Sequence, residues 1–81
     1  MSGNADEVYD HLVALRASVA EDPWMPAVDA PVVALFNELL AGARDLRPDA
    51  RLLRAIEKQK PNVRPHTLLA LADQILLALD N

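Results

Sequence analysis

The chain has 81 residues, no cysteine, and eight Lys and Arg against twelve Asp and Glu, for a net charge of −4. This length implies one domain that buries about 60% of its unfolded-chain surface, so it folds with a modest margin. Without cysteine there is no disulfide staple and no thiolate metal site, and the polar, acidic opening "MSGNADEVYD" is not a secretory signal. No apolar run approaches the roughly 18 residues of a membrane span. A cytoplasmic protein is expected, and the Ala-, Leu-, Arg- and Asp-rich, Lys-poor usage suggests a bacterial source.

The first helix is expected over about residues 5–20. Asn4 or Ser2 would cap it, and Asp6 and Glu7 suit its N-terminal dipole. Val8, Leu12, Leu15 and Val19 recur at helical spacing on one stripe, which Tyr9 and Val13 widen. Glu7 and His11 stand one turn apart, and a hydrogen bond across that turn accounts for them without a metal.

Residues 21–30 form a Pro-rich loop, because Pro23, Pro26 and Pro31 cannot sit inside one helix. Two roles fit Trp24 and Met25 between the prolines. They form a hydrophobic lid on the core, or they are exposed anchors for a partner.

The second helix is expected over 31–46, with Asp29 as N-cap and Pro31 in the first turn. Val32, Val33, Leu35, Phe36, Leu39, Leu40, Ala43 and Leu46 fall on one apolar arc, with Asn37, Glu38, Arg44 and Asp45 opposite. The arc runs through Gly42, which favours a close helix contact there over a break.

A third helix is expected over 48–60, opened by Pro48 with Asp49 near its N-terminus. Leu52, Leu53 and Ile56 would face inward, and Arg51, Arg54 and Lys58 outward. After the turn "QKPNVRP", a fourth helix is expected over 65–79. Leu68, Leu69, Leu71, Ala72, Ile75, Leu76 and Leu79 span its apolar arc, while Leu77 falls on the polar side with His66, Asp73 and Gln74. So apolar a helix belongs in the core or at a subunit interface. With no strand alternation, the fold class is all-α: a small four-helix bundle in a single domain, residues 1–81.

The charge is segregated along the chain. Residues 1–43 carry seven acids against Arg16, a net of −6. Residues 44–64 carry seven bases (Arg44, Arg47, Arg51, Arg54, Lys58, Lys60 and Arg64) against Asp45, Asp49 and Glu57, a net of +4. Such a block is either a solvated face or a surface that meets an anion.

Catalytic chemistry is not expected. There is no Gly-rich phosphate loop and no nucleophile motif, the only serines are Ser2 and Ser18, and the only histidines are His11 and His66. No cofactor, metal or small-molecule substrate is implied.

From Gly42 to Ile75 the chain resembles part of the lambda-repressor-like (Cro and Xre-type) helix-turn-helix family. The matching positions are Ala43 and Leu46, then "DARLLRAIEK" with Leu53, Ile56 and Glu57, then "TLLALADQI" with Thr67, Leu68, Leu71, Ala72 and Ile75. The resemblance implies that Asp49, Ala50, Arg51 and Arg54 face base edges, with Arg47, Lys58, Lys60 and Arg64 near phosphates.

Two functions are therefore expected. The first is a non-enzymatic protein–protein interaction module, an adaptor or regulatory subunit. It would use the basic face (Arg47, Arg51, Arg54, Lys58, Lys60, Arg64) and the apolar candidates Trp24, Met25 and Leu77 toward a protein partner or a second copy. The alternative is a helix-turn-helix regulator that reads DNA with the helix over 48–60.

Overall fold

The computed structural model describes residues 5–22 and 24–80, so the expected caps Ser2 and Asn4 lie outside the described residues. Three long helices and one short one make up the fold: α1 (Ala5–Ala20), α2 (Ala30–Leu46), α3 (Arg51–Ala55) and α4 (Pro65–Asp80). There is no strand among the described residues. The all-α, four-helix expectation holds, and α1, α2 and α4 begin and end within one residue of the expected bounds. Among the described residues no helix is long and apolar enough to cross a membrane.

The stripe on α1 is buried as its spacing requires: Val8, Leu12, Leu15 and Val19 all face the core. From α2 come Val33, Phe36, Leu39, Leu40 and Ala43, and from α4 Leu68, Ala72, Ile75 and Leu79. Leu53 and Ile56 close the core from the third segment. No polar or charged residue is buried among the described residues, so burial of apolar surface supplies the driving force. The radius of gyration, 11.8 Å, is that of a close-packed chain of this length, about 12 Å.

Helices α2 and α4 both touch every other helix, whereas α1 and α3 do not touch each other. The acidic first helix and the short basic third helix therefore lie on different sides of the α2–α4 pair. An exposed ion pair, Arg16 to Asp73, joins α1 to α4. In solvent it contributes at most about 1 kcal/mol.

Gly42 lies within the unbroken α2. A Cβ built there would sit 3.4 Å from Cγ2 of Val8 on α1. That is the close helix contact favoured by the sequence, and it still leaves room for a methyl group. Gly42→Ala is expected to stabilise the protein by about 0.5–1 kcal/mol through helix propensity. Urea unfolding checks this, and a loss of stability would mean that α1 and α2 cannot separate by even a few tenths of an ångström.

Four expectations need correction. The third helix does not run over 48–60. Residues Arg47 to Ala50 form a turn closed by the Ala50 amide on the Arg47 carbonyl (3.1 Å), with Pro48 in the position a β-turn favours. The helix then covers only Arg51–Ala55, and Ile56 is already extended (φ −81°, ψ 121°). Second, Asp29 holds the N-cap position of α2, but its side chain makes no capping bond. Its carbonyl accepts from the amides of Val32 and Val33, both at 3.0 Å. Third, Val13, Leu35 and Leu52, expected on buried arcs, are exposed by 44%, 42% and 37%. Each lies at the edge of a stripe wider than the neighbouring helices cover. Fourth, Trp24 and Met25 separate: Met25 packs against the core, while Trp24 is 89% exposed.

Candidate functional site

The basic segment is α3 and the chain that follows it to Arg64. Apolar anchors and a polar clamp hold it in place. Leu53 and Ile56 plug into the core. Arg44, in the last turn of α2, reaches across with its guanidinium. Its Nε donates to the Leu53 carbonyl at 2.9 Å, and its second amine donates to the Ile56 carbonyl. A cation on the C-terminal carbonyls of a short helix satisfies groups that have no intrahelical partner and complements the local dipole.

Seven residues earlier on α2, Asn37 forms two bonds with the backbone of Gln59. Its Nδ2 donates to the Gln59 carbonyl (2.9 Å), and its Oδ1 accepts from the Gln59 amide (2.8 Å). The side-chain amide thus replaces a backbone partner for an extended residue. Further on, the Val63 amide bonds to Lys60 (3.1 Å), and the Val63 carbonyl accepts from the Val28 amide at 2.8 Å. That last bond ties the Pro-rich loop to the basic segment. It brings Met25 and Pro26 alongside Arg64, Pro65 and His66, which together line a shallow cleft.

The seven bases consequently divide into two groups. Arg44 and Arg47 are half-buried and committed to backbone carbonyls. Arg47 donates to the Leu79 carbonyl near the C-terminal end of α4 at 3.3 Å, and its Nε is buried without a partner. This placement turns Arg47 away from the exposed row in which the sequence grouped it, because carbonyls at a helix C-terminus attract a cation. Arg51, Arg54, Lys58, Lys60 and Arg64 are exposed, and their side chains make no hydrogen bond or ion pair among the described residues. Only Arg51 and Arg54 stand on a helix, and Lys58 lies beyond its end. Lys58 instead overhangs the outer surface of α2, where it lines a groove with Ala34, Asn37, Glu38, Ala41 and Arg44.

The acids are arranged differently. Asp6, Glu7 and Asp10 are exposed on α1, and Glu38 and Asp45 on α2. Since α1 and α3 do not touch, Asp6, Glu7 and Asp10 stand on a different helix face from Arg51 and Arg54, whereas Glu38 shares its groove with Arg44 and Lys58. Of the apolar candidates, Trp24 projects into solvent beside the Met25 cleft, Met25 is spent in packing, and Leu77 is 62% exposed on α4. No group of three His, Asp or Glu residues able to hold a metal ion occurs among the described residues.

Compared with known proteins, the chain matches no family model, no curated protein and no solved structure. The functional reading of this surface rests on its own residues. Sequence reasoning missed the roles of Asn37 and Arg44. Both sat on the face opposite the apolar arc of α2, where a polar residue needs no partner but water. Their spacing of seven, which stacks them on one side of the helix, is the signal that would have singled them out.

Proposed function

We propose that the chain is a non-enzymatic protein–protein interaction module, an adaptor or regulatory subunit, whose contact surface is the basic segment from Arg51 to Arg64. The observation that carries this reading is five exposed cations whose side chains have no internal partner among the described residues, on a segment clamped by Arg44 and Asn37. A rigid backbone lowers the ordering cost of binding. Unpaired cations give an acidic partner specificity and a fast encounter. Trp24, on a loop bonded to the same segment, adds an aromatic anchor of the kind that dominates binding energy. The proposal places the protein in a bacterial cytoplasm, in keeping with its composition.

The partial helix-turn-helix resemblance supports a second reading, in which Arg51 and Arg54 contact DNA. Against it stands the length of α3: five residues rise only about 7.5 Å. A reading element in the major groove presents three or four side chains to base edges. The short segment favours a protein partner.

The test is capture of a labelled acidic peptide and, separately, of a mixed-sequence DNA duplex at about 50 mM salt, well below physiological screening. The peptide is expected to bind, and Arg51→Glu with Arg54→Glu to weaken it about tenfold or more. Stability should change by less than about 0.5 kcal/mol, because both side chains are exposed. Equal capture by wild type and variant would refute the basic segment as the contact surface. Duplex binding that falls steeply with salt and disappears in the variant would make DNA the partner.

A further inference from the structure

Two exposed apolar side chains meet on one seam of the molecule, away from the basic segment. Gly42, near the end of α2, packs against Val8 near the start of α1. Arg47, just past the same end of α2, bonds to Leu79 in the last turn of α4. The ends of α2 and α4 therefore lie beside the start of α1, and α1 and α4 run antiparallel through the Arg16–Asp73 pair. Val13 stands one turn before Arg16 and Leu77 one turn after Asp73, so the two fall at the same level of the helix pair. After Trp24 they are the most exposed large hydrophobic side chains among the described residues. Tyr9, one turn before Val13, and Leu76, next to Leu77, are only partly buried. Scattered singly, such side chains need no explanation. Grouped along one seam and rimmed by charge, they mark a contact surface.

The charge of the rim says what this surface takes. On α1, Asp6 and Asp10 share the stripe of Val13; on α4, Asp73 and Asp80 flank Leu77, and all four are exposed. Arg16 is the only Lys or Arg in the two helices, and Asp73 holds it. The side chains of Asp6, Asp10 and Asp80 make no hydrogen bond or ion pair among the described residues. An apolar strip between antiparallel helices, edged by carboxylates, complements a helix whose apolar stripe is edged by Lys and Arg. We infer that the α1–α4 seam binds a basic amphipathic helix of a partner protein. Its apolar side chains cover Val13 and Leu77, and its cations face Asp10 and Asp80. A second copy does not meet this description. Its own seam repeats the acidic charge, and on its short basic helix Leu52 stands about 200° around from Arg54. From Asp6 to Ala17 the seam spans about 16 Å, the length of about three turns of a partner helix. The basic segment lies elsewhere, since α3 does not touch α1. The inference goes beyond the reading of that segment and does not depend on it. With both surfaces, one chain joins an acidic partner to a basic one.

The test is binding of a labelled helical peptide of about 18 residues, with Leu at i, i+4, i+7 and i+11 and Lys and Arg on both flanks. Fluorescence anisotropy and NMR of the full chain follow it at about 100 mM salt. A scrambled peptide of the same composition keeps the charge and loses the stripe. The striped peptide is expected to bind with a Kd of about 10–100 μM, as a small interface allows, and about tenfold tighter than the scrambled one. Amide shifts should concentrate on α1 and α4 around Val13 and Leu77. Val13→Gln with Leu77→Gln should weaken binding about tenfold or more, and Asp10→Asn with Asp80→Asn about threefold, with a shallower salt dependence. All four positions are exposed, and thermal melting checks that both variants fold. Arg51→Glu with Arg54→Glu should not weaken this binding. Equal binding of the two peptides, shifts confined to other helices, or full binding by the Val13→Gln, Leu77→Gln variant would overturn the proposal. So would no binding at about 200 μM peptide. A wild type that dimerises, with the dimer lost in that variant, would assign the seam to a second copy instead. A chain that binds the striped peptide but not the acidic one keeps the seam and loses the basic segment as a contact surface. The reverse result loses the seam alone.

Discussion

Phe36→Ala is expected to destabilise the protein by about 3–5 kcal/mol, a large part of its whole stability. Phe36 is the only phenylalanine in the chain and is fully buried. It lies on α2, one of the two helices that touch all the others. Truncation removes its transfer free energy and leaves a cavity that neighbours on several helices cannot all collapse into. An 81-residue domain has only about 4–12 kcal/mol in hand. The midpoint of thermal unfolding should therefore fall by about 15–30 °C. Phe36→Leu, which keeps most of the volume, should cost about 1–2 kcal/mol. Thermal and urea unfolding of the two variants decide the matter. A loss below about 1 kcal/mol for Phe36→Ala would mean that this core is not the close-packed unit described above.

Arg44→Ala has the second largest expected effect, and it is local in origin. The guanidinium serves the carbonyls of Leu53 and Ile56, and hydrogen bonds from a charged donor each contribute about 1.5–3 kcal/mol. Because the site is only half-buried, water replaces part of the loss, leaving about 2 kcal/mol. The signature is where protection disappears. Hydrogen exchange should accelerate across residues 53–59, while the amides of α1 and α4 slow or quicken only with the global stability. Asn37→Ala should act on the same stretch with about 1–2 kcal/mol. The double variant should lose less than the sum, since both side chains hold one segment. Uniform acceleration over all four helices in Arg44→Ala would show that the clamp has no separate existence.

The clamp also explains the principal departure from sequence reasoning. Residues 49–60 contain Ala, Arg, Leu, Ile, Glu and Lys, all compatible with a helix. Read alone, they extend to the next proline. In the fold, the Leu53 carbonyl, which an extended helix would offer to the Glu57 amide, is held by Arg44 instead, and the backbone of Gln59 pairs with Asn37. Tertiary hydrogen bonds substitute for the helical ladder, and a short helix gains too little from propagation to resist them. At the other end, Ala50 is the N-cap, one of the weaker residues for that position. The intended row of Arg51, Arg54 and Lys58 is broken by the same event, because Lys58 leaves the helix.

The three long helices were legible in the sequence because their information is local. Val8, Leu12, Leu15 and Val19 need no partner to define a face, nor do Pro31 and Pro65 to mark a beginning. Apolar periodicity and backbone restriction are properties of neighbours along the chain. The segregation of charge was equally legible, as was the exposure of Leu77. Which bases remain free was decided only by tertiary structure. Arg44 and Arg47 read the same as Arg51 and Arg54 in the sequence, yet the first two end on carbonyls of distant segments. So too with the edges of each stripe: Leu35 and Leu52 lie within apolar arcs and still face solvent, because the neighbouring helices do not cover the edge. The Val28–Val63 bond that ties the Pro-rich loop to the basic segment spans thirty-five positions. Periodicity and propensity fall off within a turn or two of chain. Contacts across such separations depend on how the faces pack, and no local pattern encodes which polar atoms the packing brings together.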